Sequence, residues 1–312
     1  FILEDETARA AKEAGIRCLV GEVLYDFPSP SCKTPEEGLA YTRMLAEKWG
    51  NDPLVNILVQ PHSLYTCSPA LIQAAKKIAD EYNLMLGIHL LENQSELREL
   101  QEKFGEDGVP FLERIGYLDE RLHAFHCVCL SDYDIKLFAK YGCKVSHHPA
   151  SNMKLASGIS PVPDMLKAGI TVGLGTDGCA SNNTLDMIRE MSTAAKLHKV
   201  ARLDPTVMDA KTVVRMATIE GAKALNMDHV TGSLEAGKKA DIIIIGLDKP
   251  HLTPIYNEYS HLVYAANGAD VDTTIINGKV VMENRQLLTI NESDVMNEVR
   301  EIAVKVKKSM KM

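Results

Sequence analysis

The run SHHPASNMKLASGISPVPDMLKAGITVGLGTDGCASNN, residues 146–183, decides how the rest of the chain reads. Lys144 to Ser146 is a short strand, and it delivers His147 and His148 into a turn closed by Pro149. Pro163 to Ala168 is a short helix. Ile170 to Leu174 is a second strand, and it delivers Asp177 into a loop of small residues. Strand, helix and strand, each strand ending in an ionisable group, is one step of a parallel α/β repeat. A carboxylate carried into such a loop is costly unless a metal or a hydrogen-bond donor meets it. The segment also holds Gly173-x-Gly175-x-x-Gly178, which matches the dinucleotide fingerprint. Its context argues against that reading. The fingerprint opens the first βαβ unit of a doubly wound sheet, whereas this match follows the last strand of a series, and Asp177 inside the turn would repel a pyrophosphate.

Working toward the N-terminus, the same unit recurs. Strands are expected at Arg17–Gly21, Leu54–Val59, Leu84–Ile88 and Leu122–Phe125, giving six with the two above. Helices are expected at Glu4–Ala14, Thr34–Trp49, Pro69–Tyr82, Ser95–Phe104 and Asp132–Tyr141, and beyond the run at Leu185–His198 and Ala210–Leu225. Thr34 and Ser68 stand where N-caps belong, each followed by a proline in the first helical turn. Ionisable residues fall at one point of the unit, the strand C-terminus: His62, His89, His126 and Asp177. In a βα-barrel the active site is built from those ends.

Beyond Leu225 the pattern changes. GSLEAG, residues 232–237, is a turn-rich hinge, Asp241–Gly246 is an isoleucine run typical of a buried strand, and Asn277-Gly278 joins two short strands as a hairpin. The tail reads as a small β domain closed by a helix, Glu292–Lys308.

Composition narrows the function classes. The chain has 312 residues, 46% of them hydrophobic and 24% charged, so it can bury a core and is not expected to be disordered. With 34 Lys and Arg against 42 Asp and Glu, the net charge is −8, and no basic block occurs; neither nucleic acid nor an anionic membrane is an expected partner. Seven cysteines, with no CxxC spacing, are expected to be reduced thiols in a cytoplasmic protein. Cys127-Val128-Cys129 fits alternation along a strand better than a ligand pair. No apolar run reaches membrane-spanning length. The chain begins at Phe1 rather than Met, and the start is read as processed or truncated.

Taken singly, His89, Glu92 three residues on, and His126 are weak signals, since a lone strand-end His is more often structural. His62 is read as a substrate contact. Of His147 and His148 at most one faces the pocket, because neighbours on a strand point opposite ways. Met187, Met191 and Ala194 are read as core, and Asp132, Asp134 and Lys136 as a solvated helix face.

The segments PHSLYTCSP (61–69), HLLENQSE (89–96), HCVCLSD (126–132), the run from 146 to 191, GSLEAGKKADIIII (232–245) and HLTPIYNEYSHLVYAANG (251–268) together resemble the amidohydrolase superfamily, in its chlorohydrolase/aminohydrolase branch. Within it they look most like the deaminases of 5′-modified adenosines. The resemblance implies a metal-dependent (β/α)8 TIM barrel with a small β-sandwich at the C-terminal end. Residues 1–228 would form the barrel, holding its strands three to eight, and 229–312 half of the sandwich plus a helix. It implies hydrolytic deamination of S-adenosylhomocysteine, 5′-methylthioadenosine, adenosine or 5′-deoxyadenosine; guanine deamination, triazine hydrolysis and a non-catalytic scaffold are the alternatives. His89 and Asp177 match metal ligands for one divalent ion, zinc or else iron. Glu92 matches the proton-shuttling Glu, His126 the His beside the attacking water, His62 a substrate-contacting His, and Ser181 a substrate-side polar residue. A purine nucleoside is the expected small-molecule partner, and a homo-oligomer the expected state. Two departures stand out: His148 replaces the usual Asn after the seventh-strand His, and Cys129 the usual His. The family's His-x-His pair occurs nowhere in the 312 residues, so two further His ligands are expected in a missing N-terminal segment.

Overall fold

The computed structural model describes residues 2–310. In chain order its elements begin α1 (Glu4–Ala14), β1 (Cys18–Val20), β2 (Val23–Leu24), α2 (Pro35–Trp49), β3 (Val55–Pro61), α3 (Pro69–Tyr82), β4 (Met85–Leu90), α4 (Gln94–Phe104) and α5 (Gly108–Arg114). They continue through β5 (Leu122–His126), α6 (Asp132–Tyr141), β6 (Lys144–His147), α7 (Pro149–Lys154), α8 (Val162–Lys167), β7 (Val172–Leu174), α9 (Cys179–Asn182), α10 (Met187–Arg202), α11 (Ala210–Met216) and α12 (Ile219–Ala224). The tail holds β8 (Ile242–Ile245), α13 (Glu258–Tyr264), β9 (Val271–Ile276), β10 (Lys279–Glu283), β11 (Gln286–Leu287) and α14 (Glu292–Ser309).

Every strand up to β7 pairs in parallel, in the order β1-β3-β4-β5-β6-β7, with the two-residue β2 also on β3. The six expected strands are all present. Helices cover the sheet, and strand and helix side chains such as Val59, Ile72, Ile78, Leu86, Ile88, Leu122, Phe138, Val145 and Val172 form one continuous core. The helices start where their caps say. Thr34 Oγ1 accepts from Glu37 N–H and Ser68 Oγ from Leu71 N–H, each with proline in the first turn.

The second sheet is antiparallel, β11-β10-β9-β8. Asn277 and Gly278 turn its hairpin with φ of 51° and 79°, the left-handed pair such a two-residue turn requires. Its isoleucine run differs from expectation. Ile243 and Ile244, which point to opposite faces of the edge strand β8, are each about half exposed, so neither face is fully covered at that point. α14, expected to close this tail, buries none of its side chains.

Three further expectations are corrected. Cys127 and Cys129 lie in a turn beyond β5, not in a strand, because His126 and Cys127 both adopt positive φ, 68° and 49°, and end the extended run. Asp134 is not a solvated face residue. It is 2% exposed and closes a capping box on α6, accepting from Ser131 N–H while Ser131 Oγ accepts from its own N–H. The helix expected from Ala210 to Leu225 is two, broken where Thr218 leaves the helical region.

Candidate active site

Four imidazoles stand in a row across consecutive strand ends. His62 follows β3, His89 is the penultimate residue of β4, His126 the last of β5, and His148 follows β6. Ring centroids are 4.9 Å apart for His62 and His89, 5.6 Å for His89 and His126, and 4.8 Å for His126 and His148. Asp177 follows β7 and completes the arc, and Glu92 hangs from the loop after β4.

Hydrogen bonds orient each group. The carbonyl oxygen of His62 accepts both the backbone N–H of His89, at 2.9 Å, and its Nδ1–H, at 3.0 Å. A carbonyl can only accept, so the proton of His89 is fixed on Nδ1 and its lone pair on Nε2. Burial, together with the neighbouring His62 and His126, lowers its pKa to about 3 and keeps it neutral. His126 Nδ1–H likewise donates to Asn152 Oδ1 at 2.9 Å, which turns Nε2 toward Glu92, 4.0 Å away. Burial opposes ionisation of Asp177, but the Ser151 hydroxyl at 2.6 Å and Gly178 N–H at 2.7 Å outweigh it and hold its carboxyl below the ordinary value. Asp177 and His126 both carry positive φ, 61° and 68°, a conformation that side chains other than glycine seldom adopt outside sites that require it.

His62 Nδ1 lies 2.8 Å from Thr66 Oγ1, and burial lowers its pKa to about 4. Its ring sits 4.9 Å from Tyr25 and edge-on to Tyr65, with Phe27 stacked on Tyr25 at 4.6 Å. These rings form an aromatic ledge beside the histidine row, and Phe27 and Tyr65 remain substantially exposed. Ser181 lies on α9, half-buried, four residues past Asp177. Among the described residues no hydrogen bond of its hydroxyl joins it to the arc.

The choice between His147 and His148 is settled by packing. His147 turns away from the arc, its Nε2 3.0 Å from Nε2 of His198 on α10. His148 turns into the arc. Three residues outside the sequence reading hold the site together. Ser151 and Asn152 on α7 orient Asp177 and His126. Glu96 on α4 accepts the backbone N–H groups of Leu91 and Glu92 at 2.9 and 2.7 Å, fixing the loop that carries Glu92. Asn93-x-x-Glu96 at a helix start was the available signal.

A neutral imidazole with its lone pair fixed on Nε2 and an ionised carboxylate are donors that suit a divalent transition metal. His89 and Asp177 fit that chemistry as two ligands. Among the described residues no group of three or more His, Cys, Asp or Glu is arranged to hold a metal. A cavity of about 650 Å³ lies between the edge strands, lined by Cys18 and Leu19 on one side and Gly173 and Leu174 on the other; none of the arc residues lines it.

A parallel α/β sheet that gathers histidines, a glutamate and an aspartate at its strand C-termini defines a class of metal-assisted hydrolases, and this chain belongs to the amidohydrolase family, whose model matches residues 4–281. It is 62% identical over 311 residues to 5-methylthioadenosine/S-adenosylhomocysteine deaminase 1 of Syntrophus aciditrophicus (strain SB), covering 100% of this chain and 70% of that one. It is 44% identical over 305 residues to the 5′-deoxyadenosine deaminase of Methanosarcina acetivorans, covering 97% of this chain and 70% of that one. Its fold superposes with a TM-score of 0.97 on the crystal structure of an adenosine deaminase from Xanthomonas campestris with bound zinc, at 34% identity, covering 99% of this chain and 70% of that chain.

Proposed function

We propose that this protein deaminates the adenine ring of 5′-modified adenosines by hydrolysis, giving the inosine analogue and ammonia. The observation that carries the proposal is the ordered arc itself: Asp177 held ionised at one end, Glu92 4.0 Å from an oriented His126, and His62, His89 and His148 kept neutral by burial. Names of the relatives support the adenosine class, and the aromatic ledge beside His62 offers a stacking surface for a planar base.

His89 and Asp177 would hold a divalent ion, zinc or iron. Such an ion, when bound, brings the pKa of a coordinated water toward about 7. Asp177 takes the proton of the attacking water. His126 orients that water through Nε2, its tautomer fixed by Asn152. Glu92, entering in its acid form, gives its proton to N1 of the purine as the oxygen adds at C6, so charge does not build up on the ring. The proton held by Asp177 then passes to the departing amine, which leaves as ammonia, and the C6 hydroxyl proton returns to Glu92 as the carbonyl forms. His62 contacts the substrate from the ledge side, and Ser181 is assigned to the substrate side as well. In this reading β1 and β3–β7 are six of the eight strands of a closed barrel, residues 1–228 belong to it, and residues 229–312 to a β-sandwich with a terminal helix. The enzyme would work in the cytoplasm as a homo-oligomer.

The test is ammonia release from adenosine, 5′-methylthioadenosine, S-adenosylhomocysteine and 5′-deoxyadenosine, with guanine and chlorotriazines as controls, by the metal-loaded protein and its Glu92→Gln variant. The variant is expected to lose about 10²- to 10⁴-fold in kcat. Wild-type turnover by the variant, or release from the controls alone, would overturn the proposal.

A further inference from the structure

His148 is the member of the arc to which the proposed chemistry assigns no role. It is 9% exposed, and both of its ring nitrogens are buried without a hydrogen-bond partner. An imidazole so placed forgoes the hydrogen bonds it would make in water, a cost on the order of 1–3 kcal/mol per unmet group. The chain nevertheless makes room for it. A side chain at Gly175 would bring a Cβ within 2.8 Å of His148 Cε1 and 3.0 Å of its Nδ1, so the bare backbone of the β7 loop is the floor of the slot the ring occupies. The ring packs against His126 at 4.8 Å and edge-on to Phe125 at 6.4 Å, and the charge of Asp177 acts on it directly. His148 therefore stands between the two groups that handle the attacking water, with polar atoms that the folded protein leaves unmet.

We propose that His148 is a further catalytic residue, a third hydrogen-bonding group on the attacking water beside His126 and Asp177. A neutral imidazole has one N–H and one lone pair, so it can hold the water's oxygen or one of its hydrogens without changing protonation. The water still gives its proton to Asp177 and its oxygen to C6; His148 fixes its position. Glu92 keeps the separate task of delivering a proton to N1.

The inference rests on the deaminase reading, and its test keeps the two apart. His148→Phe retains the ring that fills the slot at Gly175 and removes both nitrogens, while His148→Asn supplies the amide usual in the family. Each is compared with wild type, metal-loaded, for kcat, KM and metal content, and metal-free for thermal stability. Affinities are also measured for a hydrated purine riboside carrying a hydroxyl at tetrahedral C6 and for a flat analogue lacking it. In His148→Phe kcat is expected to fall about 10- to 100-fold with KM little changed, as for loss of one hydrogen bond to a reacting group. The hydrated analogue should weaken by a similar factor, and the flat one should not. Metal content should hold, Tm should stay level or rise by a few degrees because two unmet polar atoms are gone, and His148→Asn should recover most of the rate. Loss of metal in His148→Phe would make His148 a ligand instead and overturn the proposal. A fall in Tm, or equal weakening of both analogues, would make its role structural and overturn it too. An active wild type beside an unaffected His148→Phe sinks this role alone; a wild type that deaminates no adenosine sinks the functional reading and this role with it.

Discussion

In its proposed role Asp177 works only when ionised, and its environment decides at what pH that holds. Burial raises its pKa, whereas the Ser151 hydroxyl and Gly178 N–H lower it, and the donors win. A folded-state pKa below the unfolded one means that its contribution to stability is present above the unfolded value and lost as pH falls through the folded one. Ser151→Ala removes one of the two donors, so Asp177 should titrate at higher pH. The acid limb of the kcat/KM profile is expected to move to higher pH, with little change at pH 8; a limb that stays put would separate Ser151 from Asp177. Asn152→Ala removes the acceptor of His126 Nδ1–H, and loss of such an orienting contact costs about 10- to 100-fold in activity. That loss should fall on kcat, and a loss confined to KM would contradict the role. His89, Glu92, His126 and Asp177 were legible in the sequence because the βα unit returns each to the same end of the sheet. Ser151 and Asn152 were not, since they act across elements, from α7 onto the ends of β5 and β7, and no spacing along one chain shows that. His147 and His148 were legible as a pair; only packing against α10 tells which one turns inward.

At the scale of elements, local chemistry made most boundaries readable. Thr34-Pro35 and Ser68-Pro69 start their helices in the structure as in the sequence. The misses occur where tertiary packing overrides a local pattern. The positive φ of His126 ends β5 one step before the cysteines, and Ile243 and Ile244 of β8 stay half exposed while Ile245 packs on the main core. The loop between β4 and α4 shows both levels at once. Asn93 caps α4 by accepting from Ser95 and Glu96 N–H, a local signal, while Glu96 turns back to hold Leu91 and Glu92 N–H. Burial raises the Glu96 pKa to about 7 against those two donors. A raised carboxyl stabilises the fold fully below its unfolded pKa near 4.5, and that contribution is lost as pH rises through 7. The wild type should therefore lose stability between pH 4.5 and 7, by about 3 kcal/mol if the whole shift is expressed. Glu96→Gln, which does not titrate, should flatten that slope in urea unfolding measured across the same range. A slope unchanged in the variant would assign it to other groups.

For the whole molecule, the question is what ties the parallel sheet to the antiparallel one. Arg17, just before β1, reaches Asp241, just before β8, with two parallel bonds: Nε to Oδ2 at 2.6 Å and Nη2 to Oδ1 at 3.1 Å. The same guanidinium donates to Pro53 O at 2.8 Å, and the same carboxylate accepts Asn277 N–H of the hairpin turn at 2.7 Å. One ion pair thus joins an edge of the parallel sheet, the loop before β3, β8 and the β9–β10 turn. Both side chains are largely buried, 11% and 13% exposed, so the pair is screened less than a surface bridge. Burial works against the charge on Asp241, but Arg17 and the Asn277 N–H hold its carboxyl below the ordinary value. Its stabilisation is therefore present above the unfolded carboxylate pKa and fades as pH falls through the depressed one. Asp241→Asn keeps the shape and strands the Arg17 charge, which places the expected loss between that of an exposed pair and a fully buried one, about 1–3 kcal/mol at pH 7. The difference from wild type should shrink toward zero as pH falls through the depressed pKa of the native carboxyl, where that group is itself protonated. Because Asp241 lies outside the arc, kcat should hold while the urea midpoint falls; an unchanged midpoint would mean that other contacts between the two parts, such as Gly268 N–H to Asp186 and Thr289 Oγ1 to Ala14 O, hold them without this pair.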